Sequence, residues 1–138
     1  MRVVLDADVL IGALDGFDPH HAEARALFTG WQERDESRLI SVVNLSEVLV
    51  APAADRQRLR AAREAIAALG VAVHQPGEAI GVEAARLRCS HPISLPDAYC
   101  LATAHRTGGS LASFDVKVLR AARAERIALV ETPIRRKR

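Results

Sequence analysis

Four acidic residues stand out in this sequence because each is embedded in an apolar segment. They occur as Val-Leu-Asp6, Leu-Ser-Glu47-Val-Leu, Leu-Pro-Asp97-Ala-Tyr and Ser-Phe-Asp115-Val. Solvated carboxylates usually have polar neighbours, and several partly buried carboxylates repel one another and are driven toward protonation. A divalent cation resolves this conflict because it neutralises the charge. The four acids are therefore candidates for one metal site.

The ligand atoms of such a site would all be oxygens, since no histidine or cysteine stands near these acids at ligand spacing. Hard oxygen ligands favour Mg²⁺ or Mn²⁺ over zinc. A cation held this way can lower the pKa of a bound water, orient it in line with a phosphodiester and stabilise the developing charge. The pattern therefore indicates a phosphodiester hydrolase with Mg²⁺ as cofactor, which Mn²⁺ can replace.

Each acid also has a structural interpretation when it is taken alone. Asp97 suits the first turn of a helix, where the helix dipole favours negative charge, and Asp115 suits a turn. Glu47 is harder to explain in this way, because it stands between Leu45 and Val48 on an apolar helix face. The metal-site hypothesis therefore depends on the convergence of all four acids on one crevice.

Short apolar segments alternate with amphipathic ones along the chain, which predicts strands that alternate with helices. The predicted strands are 2–5, 39–42, 71–74, 110–113 and 127–130. The predicted helices are 9–14, 20–31, 45–50, 55–69, 78–87, 98–106 and 118–124. This alternation implies an α/β fold: a three-layer α/β/α domain with a central parallel β-sheet.

Local signals set several helix ends. Asp18 and Pro19 are predicted as the N-cap and first residue of the second helix, and Gly70 as a left-handed C-cap of the fourth.

In parallel α/β sheets, ligands bind beyond the carboxyl ends of the strands. Asp6 follows the first strand and Asp115 the fourth, so both should emerge at that edge.

The acidic segments also carry a family resemblance. They read Val4-Leu-Asp6-Ala-Asp-Val-Leu10, Asn44-Leu-Ser-Glu47-Val, Leu95-Pro-Asp97-Ala-Tyr-Cys-Leu-Ala-Thr-Ala104 and Ser113-Phe-Asp115. With these segments the chain resembles a PIN domain, and within that family the VapC-type toxins of bacterial toxin–antitoxin pairs. The segments span nearly the whole chain in the family's order, and the resemblance depends on their combination.

The resemblance implies a toxin with endoribonuclease activity, an RNA substrate, a cognate antitoxin that blocks the active site, and a homodimer. It implies that Asp6, Asp97 and Asp115 bind the metal, and that Glu47 completes the catalytic quartet. Ser113 matches the hydroxyl that the family often supplies two residues before the last acid.

Asp8 departs from the family pattern, which more often has Asn, Ser or Thr at this position. It is either a fifth carboxylate of the metal site or a cap for free backbone N–H groups at the start of the helix. The capping interpretation predicts that Asp8→Asn keeps most activity. Asp6→Asn is expected to lose on the order of a hundredfold.

Length and composition indicate one domain. The chain has 138 residues and 49% hydrophobic content, from which we assign 1–134 to the nuclease domain and 135–138 to a disordered basic tail. Two of the nineteen basic residues are lysines and the rest are arginines, whose forked guanidinium groups suit phosphate. There is no signal-peptide pattern or long apolar run, so a cytoplasmic protein with two buried free thiols, Cys89 and Cys100, is expected.

Three other functions compete with the toxin. A PIN nuclease that processes RNA without an antitoxin would use the same residues, and a degenerate PIN module would only bind partners. A phospho-receiver domain needs a phosphorylatable aspartate at the end of a central strand. No aspartate occurs between Asp55 and Asp97, and the third predicted strand ends in His74. The intact acidic quartet favours a nuclease.

Overall fold

The structure is a computed structural model that describes residues 1–131. Its strands are β1 (Arg2–Leu5), β2 (Ser37–Ser41), β3 (Val71–His74) and β4 (Ser110–Ala112). Its helices are α1 (Ala7–Leu14), α2 (His21–Glu33), α3 (Val42–Leu49), α4 (Arg56–Ala68), α5 (Glu78–Ser90), α6 (Leu95–Thr107) and α7 (Val116–Ala124), and a 3₁₀ turn (Pro52–Ala54) precedes α4. The predicted basic tail lies outside the described residues.

The four strands form one parallel sheet in the order β3-β2-β1-β4. Val4 in β1 is level with Leu39 in β2 on one side and with Leu111 in β4 on the other. The predicted parallel sheet is therefore confirmed, with β1 paired on both of its edges.

The predicted fifth strand at 127–130 is wrong. Only one parallel bridge, between Leu111 and Leu129, joins this segment to β4. It is held by two hydrogen bonds of 2.8 Å, in which Leu111 N donates to Ala128 O and Val130 N donates to Leu111 O. The apolar pattern marked a segment that covers the edge of the sheet rather than extending it.

Two apolar cores lie on opposite faces of the sheet. Side chains in β1 alternate between them, because Val3 and Leu5 belong to one core and Val4 to the other. The first core holds buried side chains from α1 to α4, among them Val9, Leu27, Trp31, Val48 and Ile66. The second holds side chains from α5 to α7, among them Ile80, Leu87, Leu101, Val118 and Ala121. The three-layer α/β/α prediction is confirmed.

The local signals were only partly right. Gly70 adopts a φ of +73°, as predicted for a left-handed residue after α4. Asp18 is not the N-cap of α2, because the helix begins at His21 and Asp18 Oδ1 accepts a hydrogen bond from His20 N within the preceding loop.

Cys100 is buried as expected, whereas Cys89 is exposed. Within residues 1–131, no helix has the length and apolar character to cross a bilayer.

Candidate active site

The acidic residues gather where β1 and β4 end side by side. The chain leaves β1 through Asp6 into α1, which packs in the first core, and leaves β4 through Asp115 into α7, which packs in the second. Neighbouring parallel strands whose connections depart to opposite faces leave a crevice at their carboxyl ends. The fold therefore places Asp6 and Asp115 at such a crevice, as the order of elements predicted.

Asp6 is held firmly in this crevice. Its side chain is buried, and its Oδ1 caps α1 by accepting a hydrogen bond of 2.8 Å from Ala7 N. Its Oδ2 accepts a hydrogen bond of 2.7 Å from the hydroxyl of Ser113. Ser113 Oγ in turn accepts a hydrogen bond of 3.0 Å from Asp115 N. Ser113 thus links the side chain of one acid to the backbone of another.

Asp8 is not the N-cap residue of α1, because Asp6 occupies that position. Asp8 instead reaches across to the end of β4, where its Oδ2 accepts a hydrogen bond of 3.0 Å from Phe114 N. Its Oδ1 is buried and has no hydrogen-bond partner within residues 1–131. A buried carboxylate oxygen without a hydrogen-bond partner lowers the stability of the fold, and a cation near this oxygen would offset that cost.

Asn44, a fully buried residue on α3, connects Glu47 to the residue that precedes Asp97. Asn44 Nδ2 donates hydrogen bonds to Glu47 Oε1 over 3.1 Å and to Pro96 O over 3.0 Å. It therefore joins α3 to the first turn of α6, which carries Asp97. The sequence analysis did not identify Asn44 as a functional residue. An amide side chain three residues before Glu47 on an otherwise apolar helix is nevertheless a signal for such a role.

Asp97 and Asp115 both serve as helix caps. Asp97 Oδ2 accepts a hydrogen bond of 3.2 Å from Ser94 N in a capping box, and Asp115 Oδ1 accepts one of 2.8 Å from Lys117 N. The structural interpretation of each is therefore correct. Each residue can have a second role, because within residues 1–131 its other carboxylate oxygen accepts no hydrogen bond.

The carboxylates disturb one another electrostatically. Burial, reinforced by repulsion from Asp8 and Asp97, raises the pKa of Asp6 from 3.8 to about 7. Burial and repulsion from Asp115 raise the pKa of Asp8 from 3.8 to about 6. Burial and the charge of Asp97 also raise the pKa of Glu47. The five acids therefore form a continuous series of repelling groups, in the order Glu47, Asp97, Asp6, Asp8 and Asp115.

The donor chemistry of this series fits a hard cation. All of its ligand atoms are oxygens, its repulsions favour positive charge, and the unpartnered oxygens of Asp8 and Asn44 are buried beside it. No three His, Cys, Asp or Glu side chains in the described part of the chain are arranged to hold a metal ion together. The metal assignment of Asp6, Asp97 and Asp115 therefore stays a prediction.

A histidine, His20, also borders the series, although the sequence analysis assigned it no role. The His20 ring stacks on Phe114, with ring centroids 4.3 Å apart and planes inclined by 14°. Its proximity to Asp8 partly opposes the rise in the pKa of that carboxylate. Sequence gave no signal for this contact, because residues 20 and 114 meet only in the folded chain.

The fold and the site together define an α/β domain of three layers with clustered carboxylates at the β1–β4 crevice. Within that class the family model of the PIN domain matches residues 3–124. The chain therefore belongs to the PIN domain family, and the resemblance noted in the sequence is confirmed.

Solved structures with a similar fold include a VapC toxin and a toxin–antitoxin complex. The VapC20 toxin of Mycobacterium tuberculosis, which cleaves the sarcin–ricin loop, is 16% identical with a TM-score of 0.69, covering 86% of this chain and 94% of that one. VapBC-1 of nontypeable Haemophilus influenzae is 15% identical with a TM-score of 0.71, covering 95% and 98%. A toxin–antitoxin complex of Klebsiella pneumoniae is 23% identical with a TM-score of 0.70, covering 85% and 89%. No curated protein matched the chain by sequence.

Proposed function

We propose that this chain is the toxin of a toxin–antitoxin pair, an endoribonuclease that hydrolyses RNA phosphodiester bonds with Mg²⁺. The observation that carries the proposal is the series of repelling carboxylates at the β1–β4 crevice of a PIN domain. Such a series has no stabilising purpose in the absence of a cation. The likeness in fold to a toxin that cleaves the sarcin–ricin loop supports RNA as the substrate.

In this proposal Asp6, Asp97 and Asp115 hold the cation, for which Mn²⁺ can substitute. When bound, the cation supplies the Lewis acidity that phosphodiester hydrolysis requires. Asp6 suits a ligand because two hydrogen bonds fix its carboxylate, and the Ser113 hydroxyl favours its charged form. Asp97 and Asp115 each use one oxygen for a helix cap and retain the other for the cation.

Glu47 is proposed as the general base that receives the proton of the attacking water. It is exposed at the crevice, and one of its oxygens is held by the Asn44 amide. Burial and the charge of Asp97 raise its pKa, which makes it a stronger base than an ordinary glutamate. Asn44 therefore acts as a positioning residue for Glu47.

A cleavage assay on total RNA tests the reaction. Cleavage is expected with Mg²⁺ or Mn²⁺ and is abolished by excess EDTA. Glu47→Gln is expected to lose on the order of a hundredfold in rate. Glu64→Gln, which changes an exposed glutamate on α4, is the matched control and should be unaffected. Undiminished cleavage in EDTA would remove the metal mechanism and reduce all four acids to structural roles.

The toxin role is supported by the solved toxin–antitoxin complexes with this fold, one of which, VapBC2 of Rickettsia felis, is bound to a promoter DNA fragment. We extend the proposal to a cognate antitoxin, a homodimer and a cytoplasmic location. Expression of the chain alone should arrest growth, and expression of Glu47→Gln should not. If strong induction leaves growth and translation normal while the purified protein cleaves RNA, the chain is a processing nuclease.

A further inference from the structure

The stack between His20 and Phe114 forms a wall of the acidic crevice. Phe114 lies between Ser113 and Asp115, and its backbone N–H donates to Asp8 Oδ2. Its half-buried ring packs against the first core. The His20 ring lies flat on the Phe114 ring, in the short loop between α1 and α2. An aromatic surface therefore begins immediately beside the carboxylates.

The His20 side chain remains partly exposed beside this stack. Phe114 covers one face of the imidazole, yet 47% of the His20 side chain remains exposed. Glu23 on α2 lies near the ring, with its Oε1 3.6 Å from His20 Nδ1. A flat ring that is stacked on one side and partly exposed is a surface on which another ring can stack.

The electrostatics of the site make such a surface useful to RNA. Carboxylates that the cation does not neutralise repel phosphates, so contacts that do not depend on the backbone charge add to substrate binding at the crevice. Stacking of a nucleobase on an aromatic side chain meets this need, because every base has a π-face. Single-stranded RNA presents unstacked bases for this kind of contact.

We propose that His20, supported by Phe114, is the stacking platform for a base of single-stranded RNA next to the scissile phosphate. This inference rests on the proposed ribonuclease function and adds a positioning residue to it. His20 acts through its ring face and not as a proton donor. Its loss is therefore expected to weaken substrate binding and to alter base preference without slowing the chemical step.

Fluorescence of 2-aminopurine tests the stack directly, since stacking quenches this base. A series of short single-stranded RNAs carries 2-aminopurine at successive positions, and binding is measured with Ca²⁺ in place of Mg²⁺. One position should be quenched by the wild-type chain. His20→Ala should lose this quenching and raise KM about tenfold at unchanged kcat. His20→Phe should keep both, because it retains a flat ring.

Two further variants sharpen the result. His20→Lys replaces the ring by a flexible cationic side chain, and is expected to behave like His20→Ala. His105→Ala removes an exposed histidine in the last turn of α6, the helix whose first turn carries Asp97, and should match the wild type. Circular dichroism of each variant checks that the fold is intact.

The outcomes distinguish a failure of this inference from a failure of the proposed ribonuclease function. Cleavage with quenching and KM unchanged in His20→Ala would overturn the platform and leave the ribonuclease intact. Loss in His20→Phe equal to that in His20→Ala would also overturn it, because a ring would then not suffice. Absence of both binding and cleavage in the wild type would overturn the two proposals together.

Discussion

The hydroxyl of Ser113 lies 2.7 Å from Asp6 Oδ2 and links the end of β4 to the end of β1. This hydrogen bond favours the charged form of Asp6 and opposes the burial and repulsion that raise its pKa. Ser113 Oγ also accepts a hydrogen bond from Asp115 N. One hydroxyl therefore supports two of the proposed metal ligands.

Ser113→Ala should weaken cation binding, because Asp6 loses its donor and its pKa rises further. Hydrogen bonds to charged groups contribute enough for the Mg²⁺ concentration at half-maximal activity to rise about tenfold. Ser113→Thr retains the hydroxyl and should stay near the wild type. Ser110→Ala, at the start of β4, is the control. An Mg²⁺ requirement of Ser113→Ala equal to that of Ser110→Ala would contradict the assigned role.

Asn44→Ala should lose both stability and activity. The change removes the buried amide that joins Glu47 to Pro96 O, and leaves these acceptors without their donor. We expect a loss of about 1–3 kcal/mol in the free energy of unfolding. Because Glu47 is then no longer oriented, kcat should fall more than KM rises.

Ser46→Ala provides the matched control for Asn44, since Ser46 is exposed on the same helix and its hydroxyl donates only to Val42 O within the described chain. Denaturant unfolding and steady-state cleavage measure the two effects separately. If Asn44→Ala unfolds earlier but retains full kcat after correction for the folded fraction, Asn44 stabilises the helix contact without positioning Glu47.

Without a divalent cation, the protein should lose stability as the pH rises toward neutrality. The pKa of Asp6 is about 7 and that of Asp8 about 6 in the folded chain, against 3.8 for each when unperturbed. The folded state therefore holds these protons more tightly than the unfolded state. Their contribution is fully present below about pH 3.8 and is lost as the pH rises through about 6 to about 7.

Melting temperatures in EDTA at several pH values check this prediction, and Asp6→Asn should flatten the decline. Glu125 acts in the opposite direction, because hydrogen bonds from His91 and Arg86 lower its pKa and its contribution is lost as the pH falls. The comparison therefore belongs above about pH 5. Mg²⁺ should restore the melting temperature most strongly at the highest pH. A pH-independent melting temperature of the metal-free protein would refute the prediction.

The sequence predicted the sheet well because its strands are short apolar runs bounded by clear helix signals. β1 and β3 begin and end where the apolar pattern does, and the alternation of elements predicts their parallel pairing. The segment at 127–130 has the same apolar pattern but makes only one bridge to β4. Composition alone does not distinguish a strand from a segment that covers a sheet edge.

The site was predicted as a set of residues but not as a set of contacts. Asp6 and Asp115 could be placed at one edge because each follows a parallel strand. The sequence pattern does not predict contacts between residues that are distant in the chain. The hydrogen bond from Phe114 N to Asp8, for example, joins residues 106 positions apart. The contacts of Asp8 with Phe114 N and of His20 with the Phe114 ring were therefore not predicted.

Asp6 and Asp8 should respond differently to the same change of carboxylate to amide. Both oxygens of Asp6 accept hydrogen bonds, so an asparagine cannot satisfy both donors, and the cation also loses a charged ligand. Asp8 uses one oxygen for Phe114 N, and the carbonyl of an asparagine can accept that bond. The geometry therefore makes Asp6 the less replaceable of the two.

Asp6→Asn is expected to lose on the order of a hundredfold or more in activity, the scale seen when a key electrostatic group is removed. Asp8→Asn should stay within about tenfold of the wild type. Its metal-free form should melt at a higher temperature, because the repulsion of Asp8 on Asp6 disappears. Parallel Mg²⁺ titrations, with Asp35→Asn as an exposed control whose φ of +53° suits asparagine, measure both effects. If Asp8→Asn is folded yet as inactive as Asp6→Asn, Asp8 binds the cation directly and the quartet is incomplete.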